Sequence, residues 1–331
     1  MTNPADDTTD RPSASALKEQ SDLLVQASRW EEALAVLRQG VKTFEQVGDR
    51  AELAECLSHI GYIQGTRGQL ESALRYHERA LALFEQIDDL TRIALSLGTI
   101  ADIYNGMGKW REALSYHERA LTFGERMGDP AAIFTSLNEL GKIYDKQGNF
   151  KQALRYYKQA LTVAEQVDDP ARITDSFNNI GQLYGSESQF KQALRYLEQV
   201  LAYDVQVGDP VAVAISLSNI GTIYLDQKKF KKALRYSKQA LAIREQMGDP
   251  IKIALSLNNV GHIYFEQKKW KQAIEYLTKA LNFDEKFGNE SDVADELVAL
   301  AICYNGLPDR EKALYYYQRA KQMGKFPDGD S

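Results

Sequence analysis

The sequence predicts an all-α solenoid of eight stacked helical hairpins, and three observations lead to that prediction. Similar residues recur every 40 positions along most of the 331-residue chain. Within each block the apolar residues follow the spacing of one helix face, and no segment shows the alternation of a β-strand. The recurrence is clearest in an alanine series: Ala33, Ala73, Ala113, Ala153, Ala193, Ala233, Ala273 and Ala313. Two tyrosine series share the period: Tyr76, Tyr116, Tyr156, Tyr196, Tyr236, Tyr276, Tyr316, and Tyr104, Tyr144, Tyr184, Tyr224, Tyr264, Tyr304.

The first helix of a unit is clearest in residues 209–227. Asp209 precedes Pro210, and this pair is typical of a helix start. The carboxylate accepts hydrogen bonds from free backbone N–H groups, and proline fits the first turn because its missing N–H has no partner there. Leu217 and Tyr224 then follow at the spacing of one helical face. We expect this helix to end near residue 227.

The second helix is predicted from Phe230 to Met247, after a short polar turn. Gly248 suits the left-handed residue that closes a helix. Gly221, inside the first helix, costs about 1 kcal/mol relative to alanine. Because glycine recurs at equivalent positions, we expect a neighbouring helix to approach closely there. These glycines are Gly61, Gly141, Gly181, Gly221 and Gly261.

Stacking follows because one hairpin cannot bury its own outer faces. The repeats are predicted to begin near residues 14, 54, 94, 134, 174, 214, 254 and 294. The first and last are irregular and more polar, which is typical of capping repeats. The solenoid is therefore predicted over residues 14–323. Residues 1–13 are predicted to be a disordered N-terminal tail and residues 324–331 a loose C-terminal tail.

The repeated residues resemble the tetratricopeptide repeat. The matching positions in one unit are Leu217, Ile220, Gly221, Tyr224, Phe230, Ala233, Tyr236 and Ala240. The 40-residue length is similar to the long-helix subclass found in kinesin light chains, Pins-type adaptors and bacterial peptide-sensing regulators. This resemblance implies a right-handed solenoid and a groove that binds protein or peptide. The resemblance itself does not identify a partner, because one fold serves many tasks.

Composition and motifs argue against several classes of function. The net charge is −6, whereas nucleic-acid binders are usually basic. No segment has the pattern of a membrane helix or a secretory signal, so we expect no membrane partner and a cytoplasmic location. The sequence lacks a phosphate-binding loop and the common hydrolase motifs, and an enzyme is not expected.

Cysteines and histidines are assigned structural roles. Cys56 and Cys303 lie on distant repeats, and we expect buried reduced thiols. The four histidines are His59, His77, His117 and His262. No further ligands follow them at the spacing of a metal site, so neither a metal nor a cofactor is expected.

A lysine-rich edge is predicted at the turns inside repeats six and seven. It comprises Lys228, Lys229, Lys231, Lys232, Lys268, Lys269 and Lys271. Solvation of a surface edge is the favoured interpretation. Docking of an acidic partner remains the alternative, and such binding would weaken with added salt.

An asparagine series provides the candidate binding residues. Asn179, Asn219 and Asn259 share one position on successive first helices, and asparagine can both donate to and accept from a peptide backbone. The resemblance implies that these side chains line a groove. Structural hydrogen bonding is the alternative that the sequence leaves open. Neighbouring polar positions predicted to join the groove are Asn138, Asn178, Gln182 and Asn258.

The C-terminal part of the groove is predicted to be apolar, and its middle part polar. The resemblance places Leu225, His262 and Phe265 in it, and a large apolar side chain facing a groove can mark a partner pocket. Simple packing of Leu225 and Phe265 against adjacent helices is the alternative.

Together these patterns predict a non-catalytic scaffold or adaptor that binds a protein or an extended peptide along repeats four to eight. The alternative is a structural scaffold that forms weak homo-oligomers through its terminal repeats. Tyr315, Tyr316 and Tyr317 motivate that alternative, because three consecutive side chains cannot all be buried on one helix face.

Overall fold

A computed structural model describes residues 12–288 and 290–324. Over these residues the chain forms sixteen α-helices and no strand, which confirms the all-α prediction. The helices are α1 (Ala14–Gln26), α2 (Trp30–Val47), α3 (Arg50–Thr66), α4 (Leu70–Gln86), α5 (Leu90–Gly106), α6 (Trp110–Met127), α7 (Pro130–Lys146), α8 (Phe150–Gln166), α9 (Pro170–Ser186), α10 (Phe190–Val207), α11 (Pro210–Asp226), α12 (Phe230–Met247), α13 (Pro250–Glu266), α14 (Trp270–Phe287), α15 (Glu290–Gly306) and α16 (Arg310–Gln322). Of the predicted tails, 1–13 and 324–331, residues 1–11 and 325–331 lie outside the described residues.

The chain divides into two compact units, Met1–Ile173 and Thr174–Ser331. The division falls inside α9, so the predicted solenoid is described as two sets of hairpins. In the first unit α1 to α7 each contact the next helix in sequence, and α1 and α5 also contact the next first helices, α3 and α7. In the second unit α11 contacts α13, and α13 contacts α15. The predicted first helices therefore lie side by side within each unit.

The predicted helix starts are confirmed by their capping bonds. Asp209 accepts from the backbone N–H groups of Val211 and Ala212 at 2.8 and 3.3 Å, with Pro210 in the first turn. The carboxylate thereby satisfies two of the N–H groups that lack a partner at a helix start. The same Asp-Pro start recurs at α7 and α13.

The predicted bounds of the second helix and its glycines are also confirmed. Helix α12 spans Phe230–Met247, and Gly248 follows it with φ of 73°. A Cβ added at Gly221 would lie 2.8 Å from the Oγ of Ser237 on α12. Glycine lets the two helices of this hairpin approach closely, whereas an alanine here would require the Ser237 hydroxyl to move.

The two tyrosine series form stacked pairs inside the hairpins. One tyrosine comes from each helix, and the ring centroids lie between 5.4 and 5.9 Å apart. The pairs are Tyr104–Tyr116, Tyr144–Tyr156, Tyr184–Tyr196, Tyr224–Tyr236, Tyr264–Tyr276 and Tyr304–Tyr316. Such pairs contribute beyond their buried area, so the hairpin interface is a recurring stabilising element.

Both cysteines are buried and reduced, as the sequence predicted. Burial raises the pKa of each thiol to about 11, so neither Cys56 nor Cys303 is a ready nucleophile at neutral pH.

Candidate functional site

A cavity of about 490 Å³ lies between α13, α14 and α15 in the second unit. Its α13 wall consists of Ile251, Leu255, Asn258, His262 and Phe265. These residues follow one another three or four positions apart, which places them on a single face of the helix. Its other walls consist of Leu277, Asp284, Asp292, Asp295, Val298, Ala299 and Ile302. Three predicted site residues, Asn258, His262 and Phe265, are thus brought together.

Large apolar side chains border this cavity in exposed positions. Leu255 is 54% exposed and Ile302 is 47% exposed, on helices that contact each other. Scattered exposed leucines are ordinary on protein surfaces. Exposed apolar residues that border one cavity are more informative, because such patches mark binding surfaces.

Phe265 both packs against adjacent helices and lines the cavity, the two possibilities that the sequence left open. Its ring packs edge-on against His262 and Trp270, with centroids 5.7 and 5.6 Å away, and it is half-buried against the core of the last hairpins. It also lines the cavity. The ring is therefore held in place by neighbours while one side borders the cavity.

Next to the cavity lies a buried carboxyl pair that the sequence analysis did not identify. Glu296 on α15 is fully buried and accepts a hydrogen bond from the Asn258 amide at 3.1 Å. Burial raises the pKa of Glu296 to about 8, and the nearby Asp284 carboxylate adds to the rise. Burial also raises the pKa of Asp284. At neutral pH the Glu296 carboxyl is therefore protonated.

The Asp284–Glu296 pair occupies a site that holds a buried polar pair in the two preceding repeats. Residues 40 and 80 positions earlier also form buried polar pairs between a second helix and the next first helix. Ser216 donates to Asp204 at 2.5 Å, and the Nη1 of Arg244 donates to the Oγ of Ser256 at 2.7 Å. The last repeat replaces serine by Glu296. The signal was present in the sequence as Ser216, Ser256, Glu296, but only the packing shows that the position is buried.

The asparagines between α9 and α11 form an internal amide network. The Asn178 side-chain oxygen accepts from Asn219 at 3.0 Å and from Gln182 at 3.2 Å. The Asn219 bond joins two successive first helices. For these residues the structure displays the hydrogen bonding that the sequence analysis kept as the alternative to peptide binding.

The remaining predicted site residues lie apart from the cavity. Asn138 is buried on α7 in the first unit. Leu225 is half-buried against the core cluster around Ile223 and Tyr224. Asn179 and Asn259 are half-buried on α9 and α13. Among the described residues none hydrogen bonds with the Asn259 side chain, whereas Asn179 has a partner.

The predicted lysine-rich edge is exposed at the turns of two hairpins. The ammonium of Lys229 donates to Gln227 at 2.5 Å, and that of Lys232 lies 4.9 Å from the centre of the Tyr224 ring. Lys228 and Lys268 adopt positive φ of 56° in these turns. All seven lysines are exposed, which fits a solvated edge and docking of an acidic partner equally well.

The structure places two potential metal ligands beside one of the histidines. The sequence showed no further metal ligands near any histidine, yet His117 on α6 lies beside Asp102 on α5 and Glu139 on α7. One potential ligand atom of each lies within 4.8 Å of the others. Their separation along the chain follows no local motif, because stacking of three helices brings them together.

In the part of the chain that the structure describes, no helix combines the length and apolar character needed to cross a membrane.

A family model described as tetratricopeptide repeat matches residues 13–86, 92–166, 172–246 and 252–325. Similar solved structures include BtubC from P. vanneervenii, which is 21% identical, with 67% of this chain and 95% of that one covered and a TM-score of 0.59. Aspartyl phosphate phosphatase F from Bacillus subtilis is 14% identical, with 100% and 97% covered and a TM-score of 0.65. The apo quorum sensor NprR from B. thuringiensis is 13% identical, with 94% and 87% covered and a TM-score of 0.64. At these identities the likeness shows the fold alone. No curated protein sequence matches the chain.

Proposed function

Because the chain belongs to the tetratricopeptide repeat family, we propose that it is a non-catalytic scaffold that binds a protein or an extended peptide. Repeats of this kind leave one face of successive first helices available to a guest. The same architecture in a protein described as a quorum sensor supports a role in recognition. The proposal assigns the guest to the cavity between α13 and α15.

The observation that carries this assignment is the exposure of apolar side chains around a lined cavity. Leu255 and Ile302 are each about half exposed. Phe265 lines the same cavity and packs against the core on its other side. Covering this surface with an apolar guest side chain would contribute roughly 25 cal/mol for each Å² removed from water.

The acidic residues define the second feature of the guest. Asp284, Asp292 and Asp295 line the same cavity. An acidic surface attracts a basic partner and repels an acidic one. The guest segment is therefore proposed to combine an apolar anchor with a neighbouring lysine or arginine.

The experiment is selection of a random peptide library on the full-length chain, followed by affinity measurement for the enriched peptides. The test variant is the double substitution Leu255→Lys and Ile302→Lys, which places charge at the cavity border in exposed positions. Selected peptides are expected to pair an apolar residue with a basic one. The double variant should weaken their binding at least tenfold.

The matched control is Leu95→Lys. Leu95 occupies the position equivalent to Leu255 but lies on α5 in the first unit, and it is also exposed. This control should bind the selected peptides like the wild type. The proposal fails if no peptide is enriched, or if the double variant binds as well as the control does.

Homotypic association is the second candidate function. On the last helix Leu314 is 55% exposed and the adjacent Tyr315 is 53% exposed, while Tyr316 is stacked on Tyr304. Two adjacent large side chains on an end helix are a plausible contact between copies. Light scattering over a dilution series distinguishes the candidates: a monomer at all concentrations rules out the homotypic scaffold.

A further inference from the structure

Three side chains from consecutive helices of the first unit converge in a way that peptide binding does not explain. They are Asp102 on α5, His117 on α6 and Glu139 on α7. Among the described residues they form the only group of three histidine, cysteine, aspartate or glutamate side chains whose potential ligand atoms lie within 4.8 Å of one another.

The state of the His117 ring gives an independent observation. His117 is only 2% exposed, and its Nε2 is buried without a hydrogen-bond partner among the described residues. The nearest carboxylate oxygen, on Asp102, lies 3.6 Å away. A buried polar atom without a partner costs free energy, so native proteins rarely keep one without a reason.

We propose that Asp102, His117 and Glu139 form a binding site for a divalent transition-metal ion of the Zn²⁺ type. Two ligand atoms of a tetrahedral zinc ion lie about 3.4 Å apart, given bonds of about 2.1 Å. The separation of 3.6 Å between His117 and Asp102 is close to that value. Glu139 can approach through its side-chain torsions, since its helix position need not change.

The ligand set indicates the class of ion. An imidazole nitrogen suits zinc and its neighbours in the first transition series, whereas Mg²⁺ and Ca²⁺ prefer oxygen ligands only. Three protein ligands leave one tetrahedral position for water or for a group from a partner. The site would also join three successive helices of the first unit.

A cation already lies at the rim of this group. The ammonium of Lys142 donates to the Glu139 carboxylate at 2.6 Å, and its side chain is half exposed. Binding of a dication requires Lys142 to move into solvent, where it can be fully hydrated. Lys142→Gln introduces the residue found at the equivalent position of the next repeat, Gln182, and removes this competitor.

The preceding repeat supplies a natural comparison. His77 occupies the position equivalent to His117 and is also buried. The positions equivalent to Asp102 and Glu139 are there Tyr62 and Thr99, which offer no carboxylate. Burial lowers the pKa of His77 to about 4, in keeping with a neutral structural ring.

The test is calorimetric titration of the full-length, tag-free, metal-free chain with Zn²⁺, with Co²⁺ absorption as a readout of coordination. The substitutions follow residues that the fold already uses at equivalent positions. His117→Leu matches Leu197 and Leu277, and Glu139→Asn matches Asn179. Asp102→Asn removes the negative charge of the Asp102 side chain. His77→Leu, at the equivalent buried histidine of the preceding repeat, is the control.

The wild type should bind one Zn²⁺ per chain and give the Co²⁺ spectrum of a low-coordinate site. Asp102→Asn and Glu139→Asn should each weaken binding at least tenfold, His117→Leu should abolish it, and Lys142→Gln should strengthen it. His77→Leu should bind as the wild type does. Absence of saturable binding overturns the proposal, as does an equal loss in His77→Leu or binding that survives in His117→Leu.

Discussion

The lining of a cavity of about 700 Å³ in the first unit includes charged groups of both signs, whereas the charged groups in the cavity of the second unit are three aspartates among mostly apolar residues. In the first, His59 lies 3.0 Å from Asp22, and Arg92 forms an ion pair with Glu55. In the second, Leu255 occupies the position equivalent to Glu55. Glu55, Ser58 and Tyr62 in the first cavity are equivalent to Leu255, Asn258 and His262 in the second, so both cavities use the same face of a first helix.

This difference separates framework positions from recognition positions. The stacked tyrosines and the buried alanines hold the same residue type in both units, because each packs in an environment that stacking reproduces. Positions on the cavity face are partly exposed to solvent, so we expect that their residue type can change without loss of the fold. Recognition can then differ between two halves of one architecture.

The largest expected effect is on a framework position. Tyr224 is buried and stacks on Tyr236 at 5.5 Å, so Tyr224→Ala should cost about 3–5 kcal/mol in stability. Urea denaturation, with hydrogen exchange of α11 and α12, measures the loss. Leu255→Ala, at an exposed position, is the control. An unchanged transition in Tyr224→Ala would contradict the division into framework and recognition positions.

A somewhat smaller effect concerns the carboxyl pair beside the second cavity. An unfolded glutamate ionises near pH 4.3, whereas Glu296 keeps its proton to about pH 8 in the folded protein. Unfolding releases that proton between these values, so stability should fall as pH rises through this window and level off above it. Between about pH 5 and 9 the loss should be on the order of 4 kcal/mol.

Glu296→Gln should remove most of this pH dependence, because glutamine resembles the protonated acid and cannot ionise. Melting curves from about pH 5 to 9, which cover most of the interval between the two pKa values, would show a flatter profile for this variant. Glu275→Gln, an exposed change on α14, should keep the wild-type slope. A Glu296→Gln profile as steep as that of the wild type would refute the assignment.

The asparagines should separate into structural and binding positions. Asn219→Ala removes the bond to Asn178 and should cost about 1 kcal/mol of stability. Asn259 lies apart from the cavity, so Asn259→Ala tests whether an extended guest reaches beyond it: stability should stay nearly unchanged, and binding should weaken by about 1–3 kcal/mol. Thermal melting with and without a selected peptide measures both. If Asn259→Ala lowers stability by that amount without a guest, its role is structural.

The smallest effects on stability are expected when the residue types at the equivalent positions 55 and 255 are exchanged between the two cavities. Glu55→Leu breaks an ion pair with the partly exposed Arg92, and Leu255→Glu replaces an exposed leucine. Each should change stability by less than about 1 kcal/mol, since surface pairs contribute little. The variants should instead alter which peptides are selected. A large loss of stability in either would show that the cavity face belongs to the framework.

Sequence reasoning predicted the features that one repeat contains within itself. The bounds of α12, the cap at Asp209 and the close approach at Gly221 all follow from local chemistry. It did not predict the amide bond between Asn178 and Asn219 or the buried carboxyl pair of Asp284 and Glu296. Each of these pairs joins side chains from different repeats.

The sequence by itself determined the number of repeats, the helix type and the residues that pack inside each hairpin, because periodicity and caps act over a few turns of chain. Only the tertiary structure decided which cavity-face residues meet. It placed Phe265 and Asp284 in the walls of one cavity, and His117 beside Asp102 and Glu139. The physical reason is that stacking brings together residues far apart in the chain, and their charges and burial then depend on neighbours that no local pattern specifies.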